Sequence, residues 1–397
     1  MVARHPSLSL GRGIALVMAC AASKKNLSMR YYVIAGEHSG DIHGADLITQ
    51  IKSIDPHADF WSCGGGAMAA AIGKPCQVAG TNMAYMGIDF FKKSYTLWQW
   101  LQLCRQGLIH YRPHVVILID YSGFNMRLAA FAKRNGFLVH YYIPSKIWAH
   151  GPRRIEKIKR DVDQVWSILP FEAAYYQDRG YPTIDYVGHP LVQRVADHRI
   201  NPAFRADNKL DHRPIIALLP GSRLDEIRRI LPLMVAQGAS TYQWVVAALS
   251  HIPRHLYQAC PPTVQVVYDQ TYDLMAFARV GIIASGTASL EAALFNLLQV
   301  VIYKTHPLAY FFYKSIATVP YISLVNLLIG QAVVPELIQY QCTRDKLHTT
   351  LQALLSGSGV VTQKEAYQTI RQLLGDRHAA VEAAKGIVAS AKNRSVS

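Results

Sequence analysis

From Met29 onward, short apolar runs alternate with stretches of helical periodicity. Arg30–Ala35 reads as a strand. Asp41–Ile54 sets Leu47, Ile48, Ile51 and Ile54 at the spacing of a helix with one buried face. His114–Ile119 is an almost unbroken apolar run ending at Asp120, as expected of a strand covered on both faces. Arg127–Asn135 is helical and stops at Gly136; Phe137–Ile143 and Gln164–Leu169 are strands, and Asp185–Gly188 closes this half. Asp197–Pro214 is polar and strand-poor, a linker. The alternation then restarts, with strands at Pro214–Leu219, Gln243–Leu249, Thr263–Tyr268, Val280–Ala284 and Gln299–Tyr303. Helices at Asp225–Met234, Tyr272–Ala278 and Thr287–Leu297 separate some of them. Strands alternating with helices predict parallel α/β sheets. The chain therefore reads as two Rossmann-like domains facing a cleft, residues 29–200 and 206–362, followed by a helical tail, 363–397, that packs back across one of them.

Composition narrows this picture. At 397 residues the chain exceeds what one hydrophobic core usually serves. A net charge of +15 points to an anionic partner: nucleic acid, anionic lipid or a phosphorylated substrate. Lys and Arg are spread along the chain, without the basic strip and aromatic platforms of a nucleic-acid binder. No run reaches the roughly 18–20 apolar residues of a spanning helix, so contact with a membrane would be peripheral. The six cysteines form no C-x-x-C pair and read as reduced thiols in a cytosolic protein. Residues 1–28 combine early arginines with the apolar run Ile14–Ala22. They read either as a signal peptide or as an extension outside the fold; the cytosolic character of the rest favours the extension.

Ligands of parallel sheets sit outside the carboxyl ends of the strands, so the loops there are where chemistry is sought. In the second half, Gly221, Ser222 and Arg223 end a strand and enter a helix, either as a phosphate-holding loop or as an ordinary turn with a surface arginine. Ser285, Gly286 and Thr287 follow a buried strand and offer hydroxyls and free N–H groups at a helix start, an anion site suited to a diphosphate. Glu291 lies one turn further on the same face, placed for two ribose hydroxyls or simply solvated. In the first half, Asp120 ends the most apolar strand, as a general base on a sugar hydroxyl or as a helix cap. The loop Gly36–Asp41 after the first strand carries Glu37, Ser39 and Asp41. Phe90, Phe91, Trp98, Trp100 and Leu101 are interleaved with Lys92, Lys93 and Arg105, which suits a membrane interface or acyl-chain groove, or else a core helix or dimer seam. A second such patch is Leu308–Tyr313. Asp161-Val162-Asp163 matches a metal-holding D-x-D, but its place between a basic helix and a strand fits turn and capping use; no essential metal or cofactor is expected.

Together with the blocks Met83–Gly87, Tyr142–Ala149, Leu169–Glu172, Val187–Pro190, Leu324–Asn326 and Val334–Gln339, these residues resemble the lipid-A-disaccharide synthases over most of the chain from Met29. The resemblance implies the two-domain GT-B glycosyltransferase fold and an inverting transfer. UDP-2,3-diacylglucosamine and 2,3-diacylglucosamine 1-phosphate (lipid X) would give the β(1→6)-linked lipid A disaccharide 1-phosphate and UDP. It implies work at the cytoplasmic face of the inner membrane of a Gram-negative bacterium. It adds Asn326, Glu336 and Gln339 to the UDP-sugar side and Met86, Asn125 and Ser145 to the acceptor side. In the loop after the first strand, Ser39 or Asp41 is then expected to cap the following helix and Glu37 to face ligand, with Gly36 and Gly40 allowing a sharp turn. The sequence departs from the family pattern at His38, Gly123 and His150; Gly123 replaces a second aspartate and leaves Asp120 as the candidate base. A sugar-nucleotide 2-epimerase would share the two-domain plan without needing a lipid groove.

Overall fold

The computed structural model describes residues 28–79, 90–149, 151–236, 241–307, 310, 311, 314 and 318–396, the side chains of 79, 90–95, 395 and 396 excepted. The extension 1–27, Met86 and most of the Leu308–Tyr313 patch lie outside the described residues.

Seven parallel strands form the first sheet: β1 (Arg30–Ala35), β2 (Asp59–Gly64), β3 (Val78–Ala79), β4 (Val115–Ile119), β5 (Leu138–Tyr142), β6 (Gln164–Ser167) and β7 (Ile184–Tyr186). They lie in the order β3-β2-β1-β4-β5-β6-β7. Six more form the second: β8 (Ile215–Leu219), β9 (Gln243–Ala248), β10 (Val264–Tyr268), β11 (Ala278–Ala284), β12 (Leu298–Tyr303) and β13 (Glu336–Ile338), in the order β10-β9-β8-β11-β12-β13. Successive side chains of a strand point to opposite faces, and both faces are filled. On one side of the first sheet Tyr32, Ile34, Val116 and Leu118 meet the helices Phe90–Tyr111 and Ser122–Arg134. On the other, Tyr31, Val33, Val115 and Ile117 meet the helix His38–Ile54 and the last helix, Ala379–Val396. The second sheet divides likewise between Ile216 and Leu218 and their neighbours Ile215, Ala217 and Leu219. This is a GT-B-like architecture.

Two features depart from the sequence reading. Strands β2, β3 and β13 went unread, because Asp59–Gly64 mixes polar with apolar positions and the other two are only a residue pair and a triplet. The divisions of the chain also shift. Val187 still packs in the first core, whereas Leu191 already packs in the second, so the helix Pro190–Asp197 belongs with the C-terminal half. The tail divides as well: Val360–Leu374 stays on the C-terminal core through Tyr367 and Ile370, and only Ala379–Val396 crosses back, through Ala383, Ile387 and Ala391.

The returning helix docks by close approach. Gly386 lies so near the Trp166 ring that an added Cβ would run into it. Trp166 is in turn held from behind by its Nε1, which donates to His140 Nδ1 at 3.2 Å. Gly386→Val should lower the thermal unfolding midpoint by several degrees, reflecting the roughly 1–3 kcal/mol of an overpacked core site. An unchanged midpoint in differential scanning calorimetry would contradict this docking.

Candidate active site

In both sheets the strand order reverses beside the first strand of the half, between β1 and β4 and between β8 and β11. Helices leave the two flanking strands toward opposite faces there, opening a crevice at the carboxyl edge. The loops at these two points are Gly36–Ser39 with Asp120–Tyr121, and Pro220–Arg223 with Ser285–Thr287. The halves meet across them: the His38 and His251 rings lie 6.4 Å apart.

Asp120 follows β4 directly. It and Tyr121 have φ of +48° and +45°, two successive non-glycine residues in the left-handed region, each costing about 1–3 kcal/mol. The Tyr121 ring lies over Gly36, where any Cβ would strike it; Gly36 thus gives space, not the sharp turn expected from sequence. Burial pushes the Asp120 carboxyl above the usual carboxylate range, against the Tyr121 N–H that bonds it and the Lys146 and Arg223 charges that face it. A carboxylate raised in this way is a better proton acceptor near neutral pH.

The acceptor-side residues separate. Asp41 is 2% exposed and caps a neighbouring helix, not its own: Oδ1 accepts from the Gly65 and Met68 amides at 2.6 and 3.1 Å and Oδ2 from that of Ala67 at 3.0 Å. It is not available to an acceptor. Gly40 lies inside the helix His38–Ile54, and Ser39 is exposed in its first turn without capping it. Glu37 takes the N-cap position through its backbone, with its side chain near Tyr121. Ser145 lies in the loop after β5 and is buried. Asn125 is also fully buried and turned toward the strand end: its Nδ2 donates to Ile119 O at 3.0 Å and Asp120 O at 2.7 Å.

Of the aromatic patch, Trp98 is 55% exposed, Trp100 packs partly against the core and Leu101 is buried, so Leu101 faces inward. The side chains of Phe90 and Phe91 lie outside the described residues. Trp98, Leu101, Tyr121, Phe124 and Arg127 line a cleft of about 430 Å³ that opens next to Asp120.

In the second half Gly221, at φ +104°, leads into exposed Ser222 and Arg223, and Arg223 Nη1 lies 3.3 Å from Glu226 Oε1. Gly286 and Thr287 are exposed at the start of the helix Thr287–Leu294, with open space beside Gly286. The Ser285 hydroxyl instead donates inward to Ile322 O at 3.0 Å. Glu291 accepts from the Tyr272 hydroxyl at 2.8 Å; burial raises its pKa, opposed by Tyr272 and by the nearby Arg194. Asn326, Glu336 and Gln339 bind the fold to itself. Glu336 accepts from Ile322 N, Ser323 N, Ser323 Oγ and Asn326 Nδ2. Asn326 Oδ1 accepts from Val333 N and Val334 N, and Gln339 brackets the Thr305 backbone through both ends of its amide. Through Ile322 and Ser323, Glu336 shapes the loop that receives the Ser285 hydroxyl.

The sequence reading missed Lys146, whose charge acts on Asp120, and Arg194, which acts on Glu291 and lines a small cavity with His43. Beside them His43 and His189 are held neutral, their pKa lowered by burial to about 4 and about 3 and lowered further by neighbouring positive charge. It also missed the role of Glu172, which is buried, accepts from Trp148 Nε1 at 2.7 Å and binds the Ser167 hydroxyl. The backbone of that same Trp148 segment ties the halves together: Thr318 Oγ1 donates to Trp148 O at 2.5 Å and Thr318 N to Ala149 O at 3.0 Å. Asp161 and Asp163 pair with Arg160 and Lys133, and Asp163 accepts from Val139 N, which accounts for the D-x-D in structural terms. Among the described residues no group of three or more His, Cys, Asp or Glu is placed to hold a metal ion.

Two Rossmann-like halves, with an exposed helix start at the switch point of one and a half-buried carboxylate at that of the other, form the GT-B architecture of glycosyltransferases. Solved structures agree on the fold: the kitacinnamycin glycosyltransferase superposes with a TM-score of 0.63 at 14% identity, covering 91% of this chain and 99% of that one. A UDP-GlcNAc 2-epimerase from Neisseria meningitidis gives 0.55 at 10% identity over 92% and 100%. The family is set by sequence. The lipid-A-disaccharide synthetase family model matches residues 31–388. The lipid-A-disaccharide synthase of Geobacter sulfurreducens is 35% identical over 81% of this chain and 87% of its own length. That of Myxococcus xanthus is 34% identical over 90% and 97%. The chain belongs to the lipid-A-disaccharide synthase family.

Burial lifts the Glu172 carboxyl to about pH 7, although Ser167, Trp148 and the Lys146 charge pull it down. The folded state therefore binds a proton that the unfolded state has released above its usual value of 4.5. Stability should fall as pH rises between these values, with a slope approaching about 1.4 kcal/mol per unit. Urea unfolding of the wild type and of Glu172→Gln from pH 5 to 8 should show this component lost in the variant; parallel pH profiles would refute it.

Proposed function

We propose that the enzyme joins UDP-2,3-diacylglucosamine to the 6-hydroxyl of 2,3-diacylglucosamine 1-phosphate, with inversion, giving the β(1→6) disaccharide 1-phosphate and UDP. The observation that carries this reading is the half-buried Asp120 carboxylate at the switch point of one half, facing Arg223 of the other. Asp120 takes the proton of the acceptor hydroxyl as its oxygen attacks the anomeric carbon. The bond from that carbon to the β-phosphate oxygen breaks, and its electron pair leaves with UDP. Arg223 and the open helix start at Gly286 and Thr287 hold the growing negative charge. Glu291, fixed by Tyr272, has a second carboxylate oxygen for the ribose hydroxyls. Lys146 and Arg194 add positive charge for the phosphates of two anionic substrates.

The acyl chains fit the cleft between Trp98 and Phe124. The helices that wall it, Phe90–Tyr111 and Ser122–Arg134, carry no Asp or Glu, while Arg105, Arg127 and Arg134 supply positive charge. Such a face suits an anionic bilayer surface, and among the described residues no helix is long and apolar enough to cross a membrane. We place the enzyme peripherally on the cytoplasmic face of the inner membrane.

UDP release with both acylated sugars in detergent tests the reaction. Release should depend on the acceptor, with the disaccharide 1-phosphate appearing by mass spectrometry. Acceptor-independent conversion of UDP-N-acetylglucosamine would instead indicate the epimerase chemistry of some fold neighbours. Asp120→Ala should lower turnover by roughly 10²–10⁴-fold with UDP binding retained; near-wild-type turnover would move the base elsewhere. In flotation assays, binding to vesicles containing phosphatidylglycerol should weaken in Trp98→Glu, and equal flotation would remove Trp98 from the membrane face.

A further inference from the structure

The Asp120–Tyr121 turn is strained, and strain persists only where surrounding groups hold it. Three donor groups hold its backbone through four hydrogen bonds. Asn125 Nδ2 donates to both Ile119 O and Asp120 O, at 3.0 and 2.7 Å. The Tyr141 hydroxyl, from the neighbouring β5, donates to the same Asp120 O at 2.9 Å. The Asn125 backbone N–H closes the turn on Tyr121 O at 3.1 Å. The Asp120 carbonyl thus receives two side-chain donors from different elements, and a left-handed residue points that carbonyl away from the strand ladder it has just left. Both donors are buried, and neither donates toward the cleft. The Asn125 Oδ1 is buried without a partner, so the nitrogen is the end of the amide in use, and flipping the amide would set oxygen against two carbonyls.

We infer that Asn125 and Tyr141 form a backbone clamp that aims the Asp120 carboxylate into the cleft, and that they act on the reaction through Asp120 alone. They are positioning residues, which reassigns Asn125 from substrate contact to support of the base. The inference rests on the reading of Asp120 as that base. Without the clamp the turn relaxes toward an unstrained conformation, and a carboxylate displaced by about an ångström loses much of its effect.

A double-mutant cycle separates positioning from a general structural role. Asn125→Ala should lower kcat by roughly 10–10²-fold with the KM for the UDP donor unchanged. Tyr141→Phe, which removes one hydroxyl, should lower it about five-fold. In the Asp120→Ala background both substitutions should have no further effect, because the group they position is gone. If Asn125→Ala or Tyr141→Phe costs as much in that background as in the wild type, the clamp is overturned while the base stands. If Asp120→Ala alone turns over at near-wild-type rate, the base assignment fails and the clamp with it. Should Asn125→Ala fail to fold, judged by UDP binding and thermal midpoint, Tyr141→Phe carries the same cycle.

Discussion

Everything at the site depends on the pairing of β1 with β4. Ala35 lies opposite Ile119, so the two strands end together and hand their chains to loops that start a few ångströms apart. Parallel pairing leaves neither strand a way back along the sheet. The chain after β1 turns into the helix His38–Ile54 on one face, and the chain after β4 into Ser122–Arg134 on the other. The space between holds Gly36, the Tyr121 ring and the Asp120 carboxylate. A side chain at Gly36 and the ring of Tyr121 cannot occupy that space together, so the smallest residue of one loop is matched to a large residue of the other.

The second half repeats this plan with a different outcome. Where the first crevice half-buries a carboxylate, the second, between β8 and β11, leaves Gly286 and Thr287 exposed at a helix start. One fold therefore serves opposite electrostatic tasks. Burial at the first switch point raises a proton affinity, whereas the second presents the positive end of a helix. The difference lies in a few loop residues; the strands beneath are equally apolar, with β4 and β8 buried throughout.

The sequence was most legible where physics acts locally. Strands buried on both faces, such as Val115–Ile119 and Ile215–Leu219, are continuous apolar runs, and the loops after them mark the site. Helix starts were read late: Ser122–Arg134 was recognised only from Arg127, because its first turn, Ser-Gly-Phe-Asn, lacks helical propensity and is held by Asn125 instead. Long-range hydrogen bonding was not legible at all. Glu336, Asn326 and Gln339 look like ligand-binding polar residues until their partners, Ile322, Ser323, Val333 and Thr305, are seen around them. Lys146 and Arg194 were missed for the converse reason. A lone exposed cation has no sequence signature, and only the strand order shows that it faces Asp120 or Glu291.

The returning tail has a mechanical meaning. The chain passes from the first core to the second between Val187 and Leu191, and back again between Leu374 and Ala379. These crossings run side by side: the Tyr186 hydroxyl donates to Leu374 O at 2.7 Å and Arg377 Nη1 to Tyr186 O at 3.0 Å. A single link would let one half swivel freely about a bond. Two links bound together act as the paired leaves of a hinge and leave chiefly an opening and closing of the cleft about their common line. The Thr318 contacts to Trp148 and Ala149 add a further tie between the halves, at the loop after β5.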